Sequence, residues 1–354
     1  MKKILVVFFL LSSLFFPGFI TLAQSDEYNV VNLATPPELS GMVRAINNSG
    51  DVVGRIGTEF NTGTHGVVWR GDAQLQALAA LPGGDFSEAV SINDLGDVVG
   101  SSNTQTNLRA VVWARSGEMR DLGSLPGDSG GQATSINRGR EVVGSSIGPN
   151  GVSAFLWTER KGMQRLRLLP GSDFSEATSI NNAGLIAGTS GIARGGHRAV
   201  LWENAAIVKE LGVLPGDSGS ESYAINNLGH VVGASSGPSG IHAFIWTHKD
   251  GMSNLGSLGG NFSMAFGINS LGDVVGISTV TVDLDCDCAS HAFIWTSGSG
   301  MRDLNDLIPT DSQILLVAAV GINDRGQIIA YGGNRDTFDH DTPISVYLLT
   351  PKGR

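Results

Sequence analysis

Ser222-Tyr223-Ala224-Ile225-Asn226-Asn227-Leu228-Gly229-His230-Val231-Val232-Gly233-Ala234 is the stretch that decides the fold. Two short apolar runs flank Asn226-Asn227-Leu228-Gly229. Asparagine closes side-chain-to-backbone hydrogen bonds and glycine takes positive φ at no steric cost, so the middle reads as a turn and the whole as a β-hairpin. A polar Gly/Ser/Pro loop leads to His242-Ala243-Phe244-Ile245-Trp246-Thr247, a third strand. Asp250-Gly251 makes another tight turn, and Met252-Ser253-Asn254-Leu255 forms a fourth strand.

This four-strand unit recurs. Ile-Asn pairs begin at Ile46, Ile92, Ile136, Ile180, Ile225, Ile268 and Ile322, and the aliphatic pair that follows ends at Gly54, Gly100, Gly144, Gly188, Gly233, Gly276 and Ala330. The tryptophans Trp69, Trp113, Trp157, Trp202, Trp246 and Trp295 keep the same period of about 44 residues. Four short strands per period with no 3.6-residue pattern is the grammar of a β-propeller blade, whereas a parallel β-helix needs shorter rungs. One small twisted sheet cannot bury its own faces, so neighbours must stack around an axis. A tryptophan on each third strand suits the space between blades. The strand before the Asn turn carries small residues (Ala89 and Ser91, Ala133 and Ser135, Ala177 and Ser179) and is expected innermost. Tyr28 to Leu33 reads as an outer strand lying ahead of any inner one, and Val346-Tyr347-Leu348-Leu349 as a third strand with no successor. The expected fold is therefore all-β: a seven-bladed β-propeller of four-stranded blades, its ring closed by the N-terminal strand pairing with the last blade. Such pairing also protects open edges.

Lys2 and Lys3, an apolar run from Ile4 to about Ile20 and small residues at Thr21-Leu22-Ala23 read as a signal peptide spanning residues 1–23. Pro17 and Gly18 interrupt the run, which argues against a spanning anchor. Residues 24–354 are then one propeller domain, with no membrane span after cleavage. Its expected location is outside the cytoplasm: secreted, periplasmic or at the cell surface. The formal charge is −10, and cleavage makes it two units more negative. No basic run offsets it, so nucleic acid is excluded as a partner. Charged residues are only 16 % while glycines number 49, which suits a turn-rich chain of closely packed small residues. The apolar residues are periodically placed, unlike those of a disordered chain. Two cysteines cannot staple such a fold. A monomer is expected.

His242-Ala243-Phe244-Ile245-Trp246, Asn254-Leu255-Gly256-Ser257-Leu258-Gly259-Gly260 and Ile268-Asn269 with Val274-Val275-Gly276 resemble the HAF family of bacterial extracellular repeat proteins. The resemblance covers nearly the whole chain after residue 23. It extends to a closing unit: Leu304-Asn305-Asp306-Leu307-Ile308-Pro309, Gly321-Ile322-Asn323-Asp324 and Leu349-Thr350-Pro351. It implies export and a repeat fold, and transfers no catalytic residue. Histidine opens the motif at His65, His242 and His291, whereas Arg109, Ser153, Arg198 and Ser345 stand there in other copies, so it is not a required chemical group.

Function should be sought where the copies differ. The loops from fourth to first strand carry Asp85 and Glu88, Asp128, Asp173 and Glu176, and Asp217 and Glu221. In a propeller they share one end with the loops from second to third strand. Oxygen ligands ringing that opening suit sugar hydroxyls or Ca²⁺, although aspartate after Pro-Gly or Gly-Gly also simply caps turns. His197 and Arg198 form a polar cluster in the fourth unit, and His340 stands between carboxylates in the last. Asp283, Asp285 and Asp287 alternate with Cys286 and Cys288 in an insertion of the sixth unit, a candidate Ca²⁺ loop that lacks the glycine and terminal glutamate of a twelve-residue Ca²⁺ motif. Ca²⁺ is the candidate cofactor; Cys286 and Cys288 could also pair as a tight local disulfide or hold a thiophilic metal, although a structural zinc site wants four ligands and only His291 stands near. There is no Gly-x-Ser-x-Gly elbow, His-Glu-x-x-His or phosphate-cradling loop. The expected function is a scaffold binding an extracellular glycan or protein on its loop-rich face. The alternative is a hydrolase or lyase acting on extracellular polysaccharide, with its site at the axial mouth.

Overall fold

The computed structural model describes residues 27–33, 40–57, 63–71, 74–191, 196–280, 290–337 and 344–353. The signal segment, the loop holding Asp283, Asp285 and Asp287, and His340 lie outside them. Among the described residues there is no α-helix; two short 3₁₀ turns, Leu304–Asp306 and Thr310–Ser312, are the only helical elements.

The hairpin around Asn226 forms as read. Gly219–Ile225, Val231–Gly237, Gly240–Thr247 and Gly251–Asn254 make an antiparallel four-stranded sheet in chain order, the fifth along the sequence. Sheets of the same order begin at Ser40–Ile46, Ser87–Ile92, Gly130–Ile136, Phe174–Ile180 and Gly259–Ile268. The fifth and sixth sheets also touch through one parallel pair, Ile241 with Phe262. The last sheet holds Ile314–Ile322, Ile328–Asn334 and Ser345–Pro351, and its outer strand is Tyr28–Asn32 from the other end of the chain. That pairing is antiparallel, from Tyr28 opposite Pro351 to Asn32 opposite Tyr347.

The repeated residues have distinct physical jobs. Each first strand carries a register irregularity, between Ala89 and Ser91 in the second sheet, for example. There the Glu88 carbonyl oxygen crowds the facing strand so closely that a Cβ built on Gly100 would overlap it. The glycine ending each aliphatic pair is thus demanded by close backbone approach, not by positive φ. In the last sheet an additional irregularity between Leu316 and Ala318 moves the approach to Gly332, so Ala330 is accommodated.

The asparagines do more than make turns. Asn181 Oδ1 accepts from the backbone N–H groups of Ala183 (3.0 Å) and Leu185 (2.9 Å), while its Nδ2 donates to the Asn226 carbonyl of the next sheet (3.0 Å). The same inter-sheet bond runs from Asn47 to Asn93, Asn93 to Asn137, Asn137 to Asn181, Asn226 to Asn269 and Asn269 to Asn323. Asn323 donates to the Asn47 carbonyl at 2.9 Å. A cavity of about 230 Å³ is lined by these asparagines and the ends of their strands, which places the first strands innermost.

Between sheets, buried serines act as pins. Ser87 Oγ accepts from the Gly66 N–H and donates to the Leu78 carbonyl of the preceding sheet. Ser175, Ser220 and Ser263 accept from Ala154, Ala199 and Ala243 in the same way. Trp113 packs with Val53, Val68, Leu78 and Leu81 of the first sheet's unit, and its Nε1 donates to the Ala79 carbonyl. Burying apolar area between neighbouring sheets at about 25 cal/mol per Å² is the main driving term for stacking.

Candidate ligand-binding site

Loops from fourth to first strand and from second to third share the end remote from the Asn turns, and the fourth and fifth sheets meet there. His197 begins the strand His197–Asn204 of the fourth sheet, and Glu221 lies on the first strand of the fifth. His197 Nδ1 sits 3.0 Å from Glu221 Oε1. The Tyr223 hydroxyl donates to Glu221 Oε2 at 3.1 Å. Cross-strand geometry puts Phe174, Gly191 and His197 in one row, so the Phe174 ring stacks on the imidazole with centroids 5.3 Å apart. Arg198 Nη1 donates to the Ser218 carbonyl and its Nε pairs with Glu210 at 3.0 Å. An opening of about 210 Å³ is lined by His197, Ser218, Gly219, Glu221 and Ser236.

The electrostatics of this junction are uneven. Burial pushes the Glu176 carboxyl above the usual carboxylate range; the Glu221 carboxylate adds to the rise and His197 opposes it. Burial also raises the Tyr223 hydroxyl, with the charge and hydrogen bond of Glu221 adding, so it stays a donor at any physiological pH. The junction therefore offers carboxylate acceptors, a phenolic donor, an imidazole and an aromatic face. That mixture suits a ligand rich in hydroxyl groups, and a carboxyl poised to hold its proton also suits acid–base chemistry.

The other sequence-flagged residues are placed differently. Glu88 sits in a second cluster, where its Oε1 accepts from Arg44 Nη2 at 2.9 Å. Asp85 Oδ1 accepts from Asn103 Nδ2 at 2.7 Å, bracing its own sheet's loops. Asp128 Oδ2 accepts from Ser146 Oγ at 2.8 Å and lies 3.7 Å from Arg165. The Asp217 side chain is buried, with His242 Nδ1 3.7 Å from its Oδ2. Asp173 is exposed on its loop. So Glu176, Glu221, His197 and Arg198 come together, Glu88 stands apart, and the aspartates serve their own loops. Sequence reasoning missed Tyr223 and Phe174, although Tyr223 occupies a place where the third and fourth units carry Thr134 and Thr178. The motif-opening positions mostly pair with nearby acids: Arg109 with Asp121, Arg198 with Glu210, His291 with Asp303. Among the described residues no three His, Cys, Asp or Glu side chains gather as a metal site.

No family model and no curated protein matches the chain. Solved structures do. Virginiamycin B lyase from Staphylococcus aureus is similar at 12 % identity and TM-score 0.57, over 92 % of this chain and 99 % of that one. The β-propeller domain of the Trilobed protease from Pyrococcus furiosus is similar at 9 % identity and TM-score 0.54, over 89 % and 96 %. The fold is a β-propeller. Oligogalacturonate lyase from Vibrio parahaemolyticus is also similar, at 10 % identity and TM-score 0.57 over 91 % and 93 %. At such identities the likeness concerns fold alone, because one propeller scaffold hosts unrelated chemistries. Among the described residues no helix is long and apolar enough to cross a membrane.

Proposed function

We propose that this chain is an exported, seven-bladed propeller of the HAF-repeat type that binds a hydroxyl-rich ligand, a glycan, at its loop-bearing mouth. The ring reading is supported by the Asn-to-carbonyl series that returns from Asn323 to Asn47, and by the Tyr28–Asn32 strand completing the last sheet. The export reading rests on the N-terminal apolar run ending at Ala23. The observation that carries the binding reading is the convergence of His197, Glu221, Tyr223 and Phe174 from two neighbouring sheets, with His197 and Tyr223 at positions where the repeat is broken. Other units put Leu108, Val152 or Ile241 where His197 stands and Thr134 or Thr178 where Tyr223 stands, whereas Glu221 and Phe174 recur, as Glu88 and Glu176 and as Phe86 and Phe262.

A second reading, a polysaccharide hydrolase or lyase, is favoured by one observation: burial, with Glu221 adding, makes Glu176 hold its proton more tightly than an ordinary carboxyl. A carboxyl that keeps its proton can serve as a general acid beside a second carboxyl. A glycan array read together with a polysaccharide-turnover screen separates the two. Retention of a glycan without cleavage supports the scaffold; new reducing ends or unsaturated products support the enzyme. A protein that retains no glycan and cleaves none refutes both.

A further inference from the structure

The second cluster lies on the first strands of the first two sheets. Arg44 directs Nε and Nη2 to Glu88 Oε1, at 3.1 and 2.9 Å. Arg55, from the second strand of the first sheet, is only 25 % exposed, yet its guanidinium meets little. Its Nε and Nη2 donate to the thioether sulfur of Met42 at 3.4 and 3.2 Å, and the nearest carboxylate oxygen, Glu88 Oε1, is 3.8 Å away. Among the described residues no oxygen accepts from this guanidinium at hydrogen-bonding distance. A thioether is a weak acceptor, and a largely buried cation without a strong partner is costly. Among the described residues two guanidiniums here face one carboxylate, which leaves one positive charge in excess.

Arg55 and Arg44 also break the repeat. The positions matching Arg55 hold Ser101, Ser145, Thr189 and Ala234 in the next four sheets, and those matching Arg44 hold Val90, Thr134 and Thr178. Neither arginine is therefore something the blade requires. In the proposed ring the first sheet lies across the axis from the junction of the fourth and fifth, so one ligand in the mouth would meet both clusters.

We infer that Arg55 and Arg44 form a subsite for a carboxylate, so that the ligand of this mouth is an acidic, uronate-containing saccharide. A planar carboxylate matches the guanidinium fork, and a single negative charge matches the single excess positive charge. A phosphate dianion fits less well, because Glu88 would repel its second charge. The inference rests on the reading of this end as a glycan mouth, and the test separates the two.

The test titrates the full mature chain with uronate oligosaccharides and with the same oligosaccharides after reduction of their carboxyl groups, reading affinity by calorimetry. Wild-type protein is expected to bind the acidic form at least about tenfold more tightly than the reduced form, since charged hydrogen bonds are involved. Arg55→Met is expected to close that gap while keeping residual binding of the reduced form. Its melting temperature is expected to be equal or higher, because an apolar side chain replaces a poorly paired buried charge. Arg55→Lys, which keeps the charge but not the fork, is expected to fall between. Equal binding of acidic and reduced forms, or no binding of the acidic form, overturns the inference. So does an Arg55→Met variant that keeps the gap. If Glu221→Gln abolishes glycan binding while Arg55→Met changes nothing, the carboxylate subsite fails alone and the mouth stands.

Discussion

Asn181 offers a clean perturbation of the scaffold because its two ends do different work. Its Oδ1 closes the turn through the N–H groups of Ala183 and Leu185, and its Nδ2 ties the fourth sheet to the fifth through the Asn226 carbonyl. The residue is buried. Asn181→Ala removes three hydrogen bonds and strands buried partners, so a loss of about 3–5 kcal/mol is expected. Asn181→Asp keeps the acceptor and removes only the inter-sheet donor, placing a carboxylate oxygen against a carbonyl. A loss of about 2–3 kcal/mol at neutral pH is expected for it. The new carboxyl is buried without a cation, so its folded pKa lies above the unfolded value of about 3.9. The folded state then binds the proton more tightly, and stability falls as pH rises from the unfolded towards the folded pKa. Below that window the protonated carboxyl can donate to Asn226 and the deficit shrinks. Urea denaturation of wild type and both variants at pH 4 and pH 7.5 measures this. Losses below about 1 kcal/mol for both variants, or a deficit in Asn181→Asp that ignores pH, would refute the inter-sheet bond as a stabilising contact.

Other expectations follow from the same contacts. Gly233→Ala places a Cβ against the Glu221 carbonyl oxygen and should lose folded protein or more than about 3 kcal/mol, whereas Gly298→Ala, with open space around it, should stay within about 0.5 kcal/mol; thermal melting followed by circular dichroism compares them. Glu176→Gln removes a carboxyl whose folded pKa is raised, so wild-type stability drains away as pH rises through that pKa. The variant should therefore melt higher than wild type at pH 8 and lose that advantage near pH 4. A chain lacking residues 27–33 exposes the edge Ser345–Pro351, so it should melt lower and self-associate in size-exclusion chromatography; an unchanged monomer would contradict ring closure by that strand.

Period and turn chemistry carried most of the fold into the sequence. The Ile-Asn turn, the aliphatic pair and the tryptophan each answer a local requirement, so each recurs and can be counted. The serines Ser87, Ser175, Ser220 and Ser263 were equally periodic, but their bonds reach across to a neighbouring sheet, and a reading of one unit sees only small polar residues. The asparagines were legible as turn makers; the donor side of the amide, which links one sheet to the next, was not, because that partner is some 44 residues away. For the site, the acids gathered on the loops from fourth to first strand pointed to Glu221, and the isolated polar cluster of the fourth unit pointed to His197. Tyr223 and Arg55 break the repeat, but what makes them informative is a hydrogen bond to Glu221 and a guanidinium with no oxygen acceptor among the described residues, and neither is written in spacing.

The most direct measurement is the affinity of the mature chain for its best array glycan, compared with Glu221→Gln and with His197→Ala. Each removes one side of the pair joining the fourth and fifth sheets. Both variants are expected to fold as wild type does and to bind at least about tenfold more weakly, the cost of one charge-assisted hydrogen bond or more. Wild-type affinity in both folded variants would contradict a ligand site at this junction.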